Sequence, residues 1–369
     1  MSALTWIATG ALFGTGVPWL GMRMFVPSLA ASPTRVNFRG RPTHLGLGVV
    51  WVLWAGGAMA ASLIVASAQA GPAPAGLLIL AGPLALAAFS LGLIDDALGS
   101  AGDRGFGGHL RALAKGRLTT GMLKLIGISV ASLVVAAIVS GFAPWGRSAA
   151  GSLMARIGLA VLAGAAIALT SNLLNLLDLR PGRALKSYGL LALLGALVSV
   201  TAWIDLTLVP FASDPPAVYT AVAASALMLA LFALGPVFAV WGEDLGERAM
   251  LGLLSTGLLF ASAVTGVDLP VGIARLVDTI SLGVFVLGPA LAVWRYDLGE
   301  VAMLGDAGAN PMGVVAGLLI VLGLPLWALI GYTAVVFALN LASERISFSR
   351  VIEGSPVLSR LDHVGRRDM

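Results

Sequence analysis

The chain has 369 residues, 58% hydrophobic and only 11% charged, where a soluble domain carries about 25% charged residues. With a mean hydropathy of +0.96, this excludes an ordinary soluble domain, and the absence of cysteine excludes a disulfide framework. The net charge of +4 does not point to nucleic acid, because membrane proteins concentrate Lys and Arg in the loops of one face.

Apolar runs of about 20 residues, each able to cross a ~30 Å hydrocarbon core, recur along the chain. They predict an all-α, polytopic membrane fold of eleven spans, at 4–29, 45–69, 75–94, 119–141, 151–171, 187–209, 217–241, 249–267, 275–294, 310–323 and 326–343. The first run has no small-residue cleavage site and reads as an uncleaved span. Of the 22 Lys and Arg, 18 fall in or beside the loops of one face. The positive-inside rule then places the N-terminus outside and the tail, 344–369, in the cytoplasm.

In the first cytoplasmic loop, Arg39 and Arg41 suit either a phosphate or the ordinary work of setting topology. His44 has no spaced His or Cys partner and does not read as a metal ligand. The 75–94 run ends on Asp95-Asp96, followed by a Gly-rich basic loop with His109, Arg111, Lys115 and Arg117. Acids beside a span tend to mark function, although a helix end at the interface is also a cheap place to leave two carboxylates. Lys124 lies about one turn inside the next helix, where an ammonium calls for a carboxylate or phosphate partner. Further on, Asn172, Asn175 and Asp178 approximate one polar stripe on a helix. Such a stripe can glue helices together, but this one runs into Arg180, Arg183 and Lys186, three cations suited to clamping phosphates.

Residues 234–252 and 287–305 form an internal duplication, with 14 of 19 positions identical at an offset of 53. The copies then diverge. The first continues into uncharged Leu253-Leu254-Ser255, the second into Asp306-Ala307-Gly308. The second copy therefore reads as the functional one, and Asp244 and Glu247 of the first as structural.

Taken in order, these clusters resemble the polyprenyl-phosphate N-acetylhexosamine-1-phosphate transferases, the family that includes phospho-N-acetylmuramoyl-pentapeptide transferase. The resemblance runs from Asn37 to about Ala342. It rests on Asp95-Asp96 after Gly92, Lys124 early in the next span, Asn175-x-x-Asp178, and Gly305-Asp306-Ala307-Gly308. It implies catalytic roles for Asp95, Asp96, Asp178 and Lys124, and Mg²⁺ bound by Asp306. It also implies substrate contacts from Asn172, Asn175, Arg180, Arg183, Lys186, His109 and Arg39. The implied reaction joins a UDP-sugar to a polyprenyl phosphate at the cytoplasmic face of the plasma membrane, as the first step of a cell-envelope glycan. The expected partners are those two substrates, the lipid bilayer and a second copy in a homodimer.

Three departures stand out. Gly99 occupies the position of the family's lysine after the paired aspartates, Pro181 replaces a second loop aspartate, and Glu344–Arg350 stands where a histidine-rich loop is expected. Two other classes of protein stay open. A catalytically silent lipid-carrier binder would fit the departures. A secondary transporter would place ionisable groups near mid-membrane rather than at one face.

Overall fold

The computed structural model describes residues 8–32, 34–67, 72–99, 105–141, 143–149, 152–205 and 271–366. The predicted spans at 217–241 and 249–267, and the first repeat copy with Asp244 and Glu247, lie outside the described residues. The described chain is mostly helical. In order come α1 (Val17–Phe25), the strands β1 (Thr34–Val36) and β2 (Pro42–Leu45), α2 (Val50–Ser67), α3 (Pro72–Leu98), α4 (Gly105–Ala114), α5 (Thr120–Val139), α6 (Leu153–Leu177) and α7 (Arg183–Asp205). Further along the chain come α8 (Val271–Leu298), β3 (Ala302–Met303), α9 (Asp306–Gly323), α10 (Leu326–Ser343), α11 (Phe348–Gly354) and α12 (Pro356–His363).

Six helices among the described residues are long and apolar enough to cross a membrane: Leu47–Ile64, Ile79–Leu98, Thr120–Val139, Leu153–Leu177, Asp306–Gly323 and Leu326–Ser343. The first predicted span is not one continuous α-helix. It divides into π-helical turns at Gly10–Gly16, then α1, then a 3₁₀ segment at Val26–Ala31, each of the last two with a proline in its first turn. The small sheet is a departure from the all-α expectation. β1 and β2 form an antiparallel hairpin, and β2 pairs in parallel with β3. The turn between β1 and β2 is closed by Asn37, whose Oδ1 accepts the N–H groups of Arg39 and Arg41.

The bundle is built around α9, which is buried at every position from Ala307 to Gly323. It packs on α7, α6 and α3. Small residues on α9 admit neighbouring backbones closely; a side chain at Gly313 would collide with the backbone of Thr170 and Ser171 on α6. Buried indoles add polar ties without leaving orphan donors. Trp51 Nε1 donates to the Gly308 carbonyl at 3.0 Å, and Trp145 Nε1 to the Val321 carbonyl at 2.9 Å. The first turn of α9 is thereby held at one end of the bundle, where the loops following α3, α6 and α8 meet.

Candidate functional site

The four separated sequence clusters come together around the start of α9. Lys124, on the first turns of α5, is positioned by the cap at Thr119, whose hydroxyl accepts the Met122 N–H at 3.2 Å. Its ammonium reaches Asp95 Oδ2 at 2.8 Å and also bonds Asp306 Oδ2. One cation thus joins the end of α3 to the start of α9. This is the partner the buried lysine required.

Asp96 takes up the open N-terminus of α9. Its Oδ2 accepts the Ala307 N–H at 2.9 Å, and the Asp306 N–H contributes as well. The Gly305 backbone N–H also lies near Asp178 and favours its charged form. The first turn of a helix has N–H groups without intrahelical partners and carries partial positive charge, so it attracts carboxylates. Two glycines make the fit possible. Gly305 has φ 62° and ψ −172°, a region open essentially to glycine alone, and a Cβ there would stand 2.6 Å from Asp96 Oδ2. A Cβ at Gly92 would run into the Asp306 carbonyl. From outside, Arg35 of β1 donates to the Asp96 carbonyl oxygen and stands 3.7 Å from its carboxylate.

Two cavities flank this cluster. The larger, of about 580 Å³, is lined by Asp96, Asp178, Asp297, Glu300 and Asp306, together with Arg35, Phe38, Asn175 and Arg180. The smaller, of about 260 Å³, is lined by His109, Lys124, Asn172, Asn175, Asn310 and Glu344, with apolar Leu125 and Ile128. Asn175 borders both. Burial, with Asp297, Asp306 and Asp96 nearby, pushes the Asp178 carboxyl well above the usual carboxylate range. Five carboxyl groups thus share the lining of the larger cavity with two guanidinium groups.

The expected catalytic residues Asp95, Asp96, Asp178 and Lys124 and the expected metal ligand Asp306 are all brought together. Among the expected substrate residues, Asn175 and Arg180 face the larger cavity, and His109 and Asn172 the smaller. His109 Nδ1 lies 2.8 Å from the Thr119 hydroxyl, and Asn172 donates to Asn340 on α10 at 2.6 Å. Arg39 is engaged by Glu300 at 3.0 Å.

Arg183 and Lys186 are not brought to either cavity. Arg183 grips Asp362 of α12 in a two-pronged pair, both bonds 2.9 Å, and also reaches Ser349. Lys186 donates to the Leu361 and Asp362 carbonyls. The tail of the chain folds back and takes the charges that the sequence offered to phosphate.

Asp297 and Glu300 were not singled out from sequence. Asp297 Oδ2 accepts the Gly182 N–H at 2.6 Å, and Glu300 accepts from Asn37 at 3.0 Å. Both lie in the second copy of the duplication, where Asp306 drew the functional reading and these two acids, shared with the first copy, did not stand out. Among the described residues, no group of three or more His, Cys, Asp or Glu stands ready to hold a metal by itself. No family model matches the chain, and no curated protein matches it.

Proposed function

We propose that the chain transfers a sugar-1-phosphate from a UDP-sugar to a polyprenyl phosphate at the cytoplasmic face of a membrane and releases UMP. The observation that carries this reading is the Lys124 bridge between Asp95 and Asp306, set beside a cavity of about 580 Å³. That volume suits a nucleotide-sized ligand. A soluble nucleotide and a membrane-held lipid can meet only where span ends and loops converge, and the cluster sits at such an end.

In the proposed reaction, a lipid-phosphate oxygen bonds to the β-phosphorus of the UDP-sugar. The bond from that phosphorus to the bridging oxygen breaks, and that oxygen leaves on UMP. Little covalent chemistry falls to the protein, so positioning and charge stabilisation dominate. Lys124 would meet the negative charge growing on the phosphoryl oxygens. Asp95 and Asp96 would orient the lipid phosphate or accept its proton. Arg35 and Arg180 would face the diphosphate in the larger cavity.

The oxygen-rich, net-negative wall of that cavity fits Mg²⁺, which binds through one or two carboxylates together with substrate phosphates. Asp306 would hold it, with Asp178 nearby. A bound Mg²⁺ would offset repulsion between the diphosphate and the incoming lipid phosphate.

The test is to incubate purified full-length protein with polyprenyl phosphate, Mg²⁺ and a panel of UDP-sugars while following UMP. At least one donor should give UMP, and Asp306→Asn or Lys124→Met should cut the rate by roughly 100-fold or more. The second reading is a silent lipid-carrier binder, favoured by the withdrawal of Arg183 and Lys186 into the tail. Polyprenyl-phosphate binding with no UMP from any donor would decide for it.

A further inference from the structure

Helix α12 is inside out. Its one buried residue is a carboxylate, Asp362, which is 6% exposed, while Val357, Leu358, Leu361 and Val364 are 68%, 42%, 58% and 41% exposed. Val357 and Leu361, four residues apart, share one helical face, with Leu358 beside it and Val364 at the C-cap. Ser359 and Asp362 lie on the other face, with Ser355 as the N-cap of the helix and Arg366 just past its C-terminal end. That polar face is the one turned to the protein. There Asp362 pairs with Arg183 and Arg366, and Arg366 Nε donates to the Pro181 carbonyl at 2.9 Å. A water-facing helix would have the opposite arrangement.

The apolar stripe is not isolated. Ile346 and Val351, at the start of the tail, are 51% and 50% exposed. The tail leaves directly from α10, the least buried of the six candidate spans, with 17% of its window inside the protein. Arg345, Arg350 and Arg360 are exposed along the same segment. An outward apolar stripe flanked by exposed arginines, continuous with a lipid-facing helix, is the pattern of a segment lying in the interface plane.

We propose that residues 344–364 form an interfacial anchor. The apolar stripe enters the headgroup–acyl boundary, the three arginines meet anionic lipid phosphates, and the inward polar face grips the 180–186 loop. This proposal does not depend on the transferase reading.

The chain has no cysteine, so Leu361→Cys in the full-length protein gives one labelling site for an environment-sensitive fluorophore. The protein is reconstituted into phosphatidylcholine vesicles with and without phosphatidylglycerol. Nitroxide-bearing lipid should quench the label strongly and aqueous iodide weakly, with more lipid quenching when phosphatidylglycerol is present. Replacing Arg345, Arg350 and Arg360 by Gln should lower the partition of the tail into the surface by roughly fivefold per arginine. These positions are exposed, so the fold should survive, and retained lipid quenching of a second label in α10, at Phe337→Cys, checks that. Iodide quenching without lipid quenching would overturn the proposal, as would energy transfer between labels on two copies with no lipid contact. Lipid quenching indifferent both to phosphatidylglycerol and to the arginine replacements would overturn the recognition of anionic headgroups.

Discussion

Lys124 and its two carboxylate partners, Asp95 and Asp306, are between 13% and 23% exposed, so each charge depends on the others for most of its solvation. Removing one partner from such a group leaves the rest under-compensated. Lys124→Met is therefore expected to destabilise the fold by about 3 kcal/mol, read as a lower unfolding temperature in detergent. Most of that cost is repulsion between Asp95 and Asp306, so Lys124→Met with Asp95→Asn should recover a large part of it. A double variant no more stable than the single one would show that the lysine acts through packing of its stem. Gly305 and Gly92 have a different role. They carry no charge, but they let Asp96 and the α3 backbone approach the first turn of α9.

At the scale of elements, the site is a helix N-terminus receiving carboxylates, and the tail is a helix whose one buried side chain is a carboxylate, Asp362. Burial works against the charged form of Asp362, but Arg183 and Arg366 outweigh it and hold its carboxyl below the usual carboxylate range. A carboxylate whose folded value is depressed contributes stability above its unfolded value and loses it as pH falls. Docking of α12 should therefore be constant through neutral pH and fail below about pH 4, near the unperturbed Asp value. Limited proteolysis at the α10–α11 junction across a pH series reads this directly. Asp362→Asn should be cleaved readily at every pH, whereas a pH profile unchanged by that substitution would show that other contacts hold the tail.

For the whole molecule, the arrangement requires the loops after α3, α6 and α8 to lie at the same membrane face. The Lys and Arg asymmetry predicts that this face is cytoplasmic. A tag after Met369 should be reachable by protease only from the cytoplasmic side, and a label introduced at Gly40, on the β1–β2 turn, should share that access. A tag reachable only from outside would reverse the orientation and remove the proposed meeting of UDP-sugar with the site.

Composition and apolar run length were enough to read a helical membrane fold, because spanning a bilayer constrains every residue of a segment locally. Stranded charge was also legible: Lys124 needed a partner, and the paired acids and the Gly305-Asp306-Ala307-Gly308 run announced themselves by appearing beside apolar spans. The pairing of Lys124 with both Asp95 and Asp306 joins residues as much as 182 positions apart, and only packing of α3 on α9, with α5 against α3, brings them into contact. The fate of the loop cations was decided the same way. Arg180, Arg183 and Lys186 look alike in sequence, but Arg180 lines the cavity while pairing with Glu353 of α11 at 2.8 Å, whereas Asp362 and the tail carbonyls draw Arg183 and Lys186 away from it, because charge in a partly buried setting goes to whichever partner the fold delivers.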